Sequence, residues 1–290
     1  MPLVARTPIG LHHRLDVSPR SDALAVLLLH GLGSCGDDWI LQLPALVPRF
    51  TVLAPDLRGQ GESPMPSGWP SIEVMATDVL LLLDRLKIES AHVVGLSLGG
   101  AVALQLAADA PKRVRSLVAV NAFARLRGAH GSLGRGMVRM RLAATGRMDE
   151  LGRRVAAGLF PHAGQEELRS LAAARLAGNP PLTYVKLLAA IGRFDLRLRL
   201  FEIRVPTLVV AGEQDTTVSL SCKTELAAGI PGARLEQLAA SGHATPLDQP
   251  GPFNALLLEF LESVEHAPRT SAVAAGLQRQ QAGGPHMIAS

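Results

Sequence analysis

The stretch Val93-Val94-Gly95-Leu96-Ser97-Leu98-Gly99-Gly100 decides the predicted fold. An apolar run over residues 91–94 leads into it, and small residues with helical character follow it over 101–110. Glycine has no Cβ, so glycines on both sides of the serine allow a strand to turn sharply into a helix. Gly-x-Ser-x-Gly between a strand and a helix therefore predicts that Ser97 lies exposed at the helix N-terminus, the position of a catalytic nucleophile.

The composition is that of a globular protein with an aliphatic core. The chain has 290 residues, of which 48% are hydrophobic, 19% charged and only 3% aromatic. Its two cysteines, Cys35 and Cys222, lie far apart without Cys-x-x-Cys spacing, which excludes a disulfide framework and a cysteine zinc site. We expect both thiols to be buried or incidental, and we predict no metal and no cofactor.

No apolar segment has the length of a targeting sequence or a membrane-spanning helix. Residues 1–15 lack an unbroken apolar stretch of signal-peptide length, and the charged Arg14 and Asp16 stand at its end. No window approaches about 18 uninterrupted apolar residues. We therefore expect a soluble cytoplasmic protein with no membrane partner.

Strands and helices alternate up to residue 121, which predicts a mostly parallel sheet with helices on both faces. Residues 3–17 predict one or two edge strands. The continuous aliphatic runs typical of strands buried on both faces are residues 24–29, 50–54, 91–94 and 114–120. Between them, residues 39–47 and 71–86 have helical character, with Ser71 as the N-cap of the second helix. The sheet resumes at 206–211 and 233–238, and a helix over 253–264 ends the fold.

The alternation stops at Asn121, and residues 122–200 are helical in character and rich in arginine. We interpret this stretch as a helical cap inserted after the sixth strand, above the sheet edge where the loops converge. Residues 1–121 and 201–266 then form the α/β core. Residues 267–290, rich in Pro, Gly, Gln, Ser and Ala, are predicted to be a disordered tail.

The cap is strongly basic. It contains 13 Arg and one Lys against two Asp and three Glu, a net charge of +9 within a chain of net charge +4. Aromatic residues for base stacking are scarce there, so we predict no nucleic-acid partner. Two interpretations stay open: the arginines are solvated helix faces, or they form an anion-attracting rim above a pocket.

A serine nucleophile needs a base to take its proton and a carboxylate to orient that base. His243 has the best context among the nine histidines, in a short loop just beyond the last predicted strand. Asp215 follows the strand at 207–211, at the same end of the sheet. Glu213 competes with it, but Asp215 is preferred because the intervening turn carries it further from the strand.

The charge that develops on a substrate carbonyl oxygen needs hydrogen-bond donors. The N–H of Leu98, directly after the nucleophile, is one candidate. The N–H of Leu32, in the loop after the strand at 24–29, is the other. His30 precedes that loop, and we expect it to shape the loop through local hydrogen bonds rather than to act as the base.

Five ordered motifs resemble those of the α/β-hydrolase superfamily: His30-Gly31, the stretches 56–63 and 95–100, Ala211-Gly212-Glu213-Gln214-Asp215 and Ser241-Gly242-His243. The similarity runs from about residue 24 to 264, interrupted by the cap. Residues 231–234 and 253–256 resemble the small-carboxylesterase and 3-oxoadipate enol-lactonase group. The resemblance implies an α/β-hydrolase fold in which Ser97, Asp215 and His243 are nucleophile, acid and base. It also implies that Leu32 and Leu98 form the oxyanion hole.

The predicted activity is hydrolysis of a carboxylic ester or lactone of a small molecule through an acyl-enzyme on Ser97. Alternatives on the same triad are an enol-lactonase, a C–C bond hydrolase, a thioesterase or acyltransferase, and a cofactor-free perhydrolase. A small-molecule receptor with a vestigial triad is the alternative from a different class. Neither the substrate nor the oligomeric state is predicted.

One charged pair and the two tryptophans are predicted to have structural roles or to line the pocket. We expect Asp56 and Arg58 to pair with each other and hold their loop together. Trp39 and Trp69 either line the pocket or pack in the core.

Overall fold

The computed structural model describes residues 9–126 and 132–266, apart from the side chains at 132 and 133. Seven strands form one sheet in the order β1-β3-β2-β4-β5-β6-β7. They are β1 (His13–Asp16), β2 (Ala25–Leu29), β3 (Thr51–Pro55), β4 (Ala91–Leu96), β5 (Val114–Val120), β6 (Thr207–Gly212) and β7 (Arg234–Leu238). Strand β1 pairs antiparallel with β3, and all other neighbours are parallel, which confirms the mostly parallel sheet.

Helices cover both faces of the sheet. Those of the core are α1 (Leu43–Leu46), α2 (Ile72–Arg85), α3 (Leu98–Asp109), α8 (Leu220–Gly229), α9 (Thr245–Asp248) and α10 (Pro250–His266). Helices α2, α3 and α8 pack on one face, and α1 and α10 on the other. Strand β2 shows why both faces are covered: Leu27 and Leu29 face the first layer, Val26 and Leu28 face the second, and all four are fully buried.

Four helices between β5 and β6 form the cap: α4 (Ser132–Ala144), α5 (Met148–Leu159), α6 (Glu166–Ala177) and α7 (Pro181–Arg193). They enclose a separate apolar cluster that includes Leu151, Leu176 and Tyr184. The cap follows the fifth described strand rather than the sixth. Residues 9–17 contain one edge strand, and the rest of the predicted edge region lies outside the described residues, as does the predicted tail at 267–290.

Two local predictions need correction, the single helix at 39–47 and the place of Trp69, whereas Trp39 packs in the core as one of its two interpretations predicted. Residues 39–47 do not form one helix, because a 3₁₀ turn at Gly36–Trp39 and the short α1 share the segment. Neither tryptophan lines the active-site cavity: Trp39 packs 6.4 Å from Phe253 in the core. Trp69 is 52% exposed and lies under the guanidinium of Arg193.

Asp56 and Arg58 do not pair with each other. Arg58 reaches out of its loop and forms a buried ion pair with Asp78 of α2. Asp56 instead accepts hydrogen bonds from the N–H groups of Gly36 and Glu62, at 2.7 and 2.9 Å. Both residues still hold the loop in place, but neither does so by pairing with the other. Their partners lie elsewhere in the chain.

None of the helices within residues 9–126 and 132–266 combines the length and the apolar character needed to cross a bilayer.

Candidate active site

Ser97 lies at the turn between β4 and α3. Its φ of 55° and ψ of −110° form a strained conformation that non-glycine residues rarely adopt. The turn is held by a 2.9 Å hydrogen bond from the Ser97 N–H to the Val120 carbonyl oxygen. A Cβ at Gly95 would collide with the Gly99 carbonyl oxygen, and one at Gly99 with the Leu29 carbonyl oxygen. Both glycines are therefore required for this turn.

His243 and Asp215 are in direct contact beyond the ends of β7 and β6. The Nδ1 of His243 lies 3.0 Å from Oδ2 of Asp215, and both side chains are buried. The other carboxylate oxygen of Asp215 accepts from the N–H groups of Thr217 and Val218 at 2.8 and 3.1 Å. This arrangement orients the imidazole and leaves its Nε2 as the nitrogen that can exchange a proton.

Lys223 is a third member of this cluster that the sequence analysis missed. It extends from α8, with 1% of its side chain exposed, and its ammonium donates to Oδ2 of Asp215 at 2.7 Å. Burial alone would raise the pKa of Asp215, but the charges and hydrogen bonds of His243 and Lys223 outweigh it and hold that pKa well below its usual range. Burial also lowers the pKa of Lys223 in spite of the neighbouring carboxylate.

Asn121, the residue at which the strand–helix alternation stops, connects the loops that carry Asp215 and His243. Its side-chain amide donates to the His243 carbonyl oxygen and to Thr245 Oγ1, both at 2.8 Å. Its side-chain oxygen accepts from the Gly212 N–H at 2.9 Å. A polar residue directly after a buried strand at the carboxyl edge of the sheet was the available signal for this role.

The structure distinguishes Asp215 from its competitor. The Glu213 carboxylate is exposed and accepts a hydrogen bond from the Ala240 N–H at 3.3 Å, whereas Asp215 contacts the imidazole.

The expectation that His30 shapes its loop through hydrogen bonds is confirmed. Its Nδ1 lies 2.8 Å from the Gly31 carbonyl oxygen, and its Nε2 accepts from the Leu57 N–H at 2.9 Å. Burial lowers the pKa of His30, so it is a neutral loop-shaping residue.

Leu32 and Leu98 occupy the two positions expected of oxyanion donors. Leu32 follows β2 in the loop that lines the cavity, and Leu98 is the first residue of α3, directly after Ser97. Within the described chain, neither backbone N–H donates to a protein acceptor. Both N–H groups thus lack a protein acceptor in that part of the chain, which is what the predicted role of oxyanion donor requires.

Ser97 and His243 line one cavity of about 110 Å³ between the sheet edge and the cap. Its wall is mostly apolar, with Phe123 on the core side and Val155, Leu159 and Ile191 on the cap side. Three polar cap residues also reach it: Arg139, Arg175 and Tyr184. The core and the cap thus each supply a large part of the surface that a substrate would contact.

The arginines of the cap divide into two groups. Several form surface ion pairs, such as Arg154 with Glu150 at 2.9 Å and Arg125 with Asp195 at 3.3 Å. Arg139 and Arg175 line the cavity beside Ser97, and Arg175 also forms an ion pair with Asp38. The surface ion pairs agree with solvated helix faces, whereas the anion-attracting rim stays a prediction for the two arginines of the cavity.

The two cysteines, Cys35 and Cys222, are not among the residues that line the cavity. Both cysteines are buried, and burial raises the pKa of Cys35 to about 11, so its thiol is not a ready nucleophile. Within residues 9–126 and 132–266, no three His, Cys, Asp or Glu side chains are arranged to hold a metal ion.

Comparison with known proteins places this geometry in a family. The model of the alpha/beta hydrolase fold matches residues 25–250. RutD of Stutzerimonas stutzeri, which carries the name carbamate hydrolase, is 35% identical over 258 residues, covering 87% of this chain and 96% of the relative. The enol-lactonase of Burkholderia xenovorans LB400 superposes with a TM-score of 0.81 at 30% identity, covering 88% and 97% of the two chains. A hydrolase from Pseudomonas aeruginosa PA01 superposes with a TM-score of 0.77 at 34% identity, covering 87% and 94%. The chain belongs to the α/β-hydrolase fold family and is a hydrolase that resembles the small-esterase and lactonase group.

Proposed function

We propose that this hydrolase cleaves a carboxylic ester or lactone of a small molecule through an acyl-enzyme on Ser97. One observation carries the proposal: His243, oriented by Asp215, lines the same cavity as a strained serine at a helix N-terminus. A serine hydroxyl becomes nucleophilic only beside an oriented base, and this arrangement provides one.

In the proposed reaction, the Ser97 oxygen attacks the substrate carbonyl while its proton passes to Nε2 of His243. The N–H groups of Leu32 and Leu98 receive the negative charge on the carbonyl oxygen. His243 then returns the proton to the leaving alkoxide, and the C–O bond breaks. Water then attacks the acyl-enzyme carbonyl while its proton passes to His243. The bond between the acyl group and the Ser97 oxygen breaks, His243 returns the proton to that oxygen, and the acid is released. Asp215 stays ionised throughout, held so by its two backbone N–H donors and by Lys223.

Carbamate hydrolysis is the second candidate, and the relatives favour it. Two proteins that carry the name carbamate hydrolase, from Stutzerimonas stutzeri and Azorhizobium caulinodans, are 35% and 36% identical to this chain. A carbamate also presents a carbonyl flanked by a leaving heteroatom, so the same serine, base and N–H donors would serve it. The enol-lactonase similarity favours the ester or lactone substrate instead.

A fluorophosphonate label with mass mapping, followed by a substrate panel, tests the proposal. We expect the label on Ser97, and turnover of p-nitrophenyl acetate or butyrate, a lactone or a carbamate. Ser97→Ala should abolish labelling and lower kcat at least about 1000-fold, because the nucleophile is lost. Ser221→Ala, at an exposed serine of α8, is the matched control and should behave as wild type.

Wild-type turnover by the Ser97→Ala variant would overturn the acyl-enzyme mechanism. A tightly held small molecule in the purified protein, without turnover of any substrate in the panel, would favour the receptor alternative.

A further inference from the structure

Tyr184 lines the active-site cavity and carries a buried hydroxyl without a protein partner among the described residues. It extends from α7 and is 1% exposed. A buried polar group without a partner is costly, so natural proteins rarely keep one unless something else satisfies it. In a substrate cavity, the partner that fits is a group on the substrate.

Arg139 places a positive charge in the same cavity. It lies on α4 and also lines an adjoining groove of about 670 Å³ that runs between α4, α5 and the loop of Asp215. Among the described residues, no carboxylate lies within ion-pair distance of its guanidinium. The stretches outside them, 1–8, 127–131 and 267–290, contain no Asp or Glu. No acidic side chain of this chain therefore neutralises Arg139.

The other arginine of the cavity differs in this respect. Arg175 lies 3.2 Å from Asp38, and its second nitrogen donates to Cys35 Sγ at 2.8 Å. Its charge is already balanced by the core. Arg139 is thus the cavity arginine whose charge is left for a ligand.

Arg139 and Tyr184 line the same cavity from α4 and α7, and these two helices pack against each other. Burial raises the pKa of the Tyr184 phenol, although the nearby charge of Arg139 lowers it. The hydroxyl is therefore protonated at neutral pH and is a hydrogen-bond donor. A guanidinium beside a phenol hydroxyl suits a carboxylate, which accepts through two oxygens and carries one negative charge. A phosphate dianion would require more donors and more positive charge.

We propose that Arg139 and Tyr184 form a carboxylate subsite, so that the substrate carries a carboxylate in addition to the bond that Ser97 cleaves. This inference rests on the proposed function. The apolar wall between the two ends, including Val155, Leu159 and Ile191, fits a hydrocarbon segment that joins the reacting carbonyl to the carboxylate.

The experiment compares a charged and a neutral ester on the full-length enzyme. The mono-p-nitrophenyl ester of glutaric acid carries the carboxylate, and p-nitrophenyl pentanoate is its neutral counterpart of similar length. We expect the wild type to have at least a 10-fold higher kcat/KM for the charged ester. Arg139→Gln should remove that preference mainly through KM, and Tyr184→Phe should reduce it several-fold.

Arg141→Gln is the matched control, because Arg141 is exposed on the same helix and the change in net charge is the same. It should keep the wild-type preference. A wild type without preference for the charged ester would overturn the subsite, and so would equal losses in the Arg139→Gln and Arg141→Gln variants, which indicate only a general field effect.

A binding measurement separates this inference from the proposed function. Glutarate, titrated calorimetrically into the Ser97→Ala variant, requires no turnover, and its Kd should weaken at least 10-fold when Arg139→Gln is added. Ester turnover by wild type without this effect would overturn the subsite alone. Glutarate binding that depends on Arg139, in an enzyme that cleaves no ester, lactone or carbamate, would overturn the proposed function alone.

Discussion

The core side and the cap side of the active-site cavity differ in whether their polar side chains have partners within the protein. On the core side, the buried Asp215 accepts from His243, Lys223 and two backbone N–H groups, and Asn121 ties the loops together. On the cap side, Tyr184 has no partner within the described chain, and Arg139 has no carboxylate beside it. The polar groups of the core side thus have their partners before any substrate binds. On the cap side, the Tyr184 hydroxyl and the Arg139 guanidinium remain free to bind a substrate.

The difference follows from what each side has to do. A proton-transfer pair works only when its geometry and charge are set in advance, because reorganisation during the reaction costs rate. Buried charges also require partners, and the ion pair between Asp215 and Lys223 is almost fully buried. A recognition surface has the opposite requirement, since donors already satisfied by the protein would gain little from a ligand.

The largest expected effect tests the core side. In Asp215→Asn, the imidazole loses the carboxylate that fixes its tautomer, so kcat should fall about 10⁴-fold while the fold is retained. The measurement is steady-state hydrolysis, with circular dichroism as the check on folding. Glu213→Gln removes an exposed carboxylate two residues away and should leave kcat within about twofold of wild type. Similar losses in both variants would refute the distinction between the two acids.

A smaller effect is expected from Lys223. Its ammonium lies 2.7 Å from the oxygen of Asp215 that also faces His243, and it helps to hold the pKa of that carboxyl below its usual range. In Lys223→Met, the acidic limb of the kcat/KM profile should move to higher pH, because the Asp215 carboxylate loses a positive neighbour and takes up a proton at a higher pH.

The measurement is kcat/KM as a function of pH, from about 4 to 9. Lys112→Met, at an exposed lysine, is the control and should leave the profile in place. A lower rate with an unmoved acidic limb would show that Lys223 serves only to pack α8.

The smallest expected effect tests the cap side without substrate. Because the Tyr184 hydroxyl is unpartnered, Tyr184→Phe should leave the free energy of unfolding unchanged or raise it by up to about 1 kcal/mol. Thr207→Val is the matched comparison, since its buried hydroxyl donates to the Val205 carbonyl oxygen at 2.9 Å. That variant should lose about 1 kcal/mol. Thermal and denaturant unfolding measure both, and equal destabilisation would mean that the Tyr184 hydroxyl has a partner in the free protein.

Features that depend on neighbouring residues were predictable from the sequence. The glycines at 95 and 99 indicated the turn at Ser97, because only glycine avoids the backbone collisions that the structure reveals. The position of His243 and Asp215 directly after strands also indicated that they would meet. Parallel strands bring their carboxyl ends to one edge, whatever the loops between them.

Features that depend on side chains reaching across the fold were not predictable. Arg58 was expected to pair with Asp56, two residues away, but a long side chain reaches the neighbouring helix, and Asp78 was there. Lys223 looked like an ordinary helical residue, since the approach of α8 to the loop of Asp215 is a tertiary contact.

The sequence by itself determined the strand–turn–helix at Ser97 and the alternation that builds a parallel sheet. Each of these follows from local backbone sterics or from the period of apolar residues. Only the tertiary structure decided which polar groups acquire partners. The cap packs against the sheet edge so that Arg175 pairs with Asp38. Arg139 and Tyr184 line the cavity without such a partner in the described part of the chain. Such pairing depends on distances between segments remote in the chain, which no local pattern encodes.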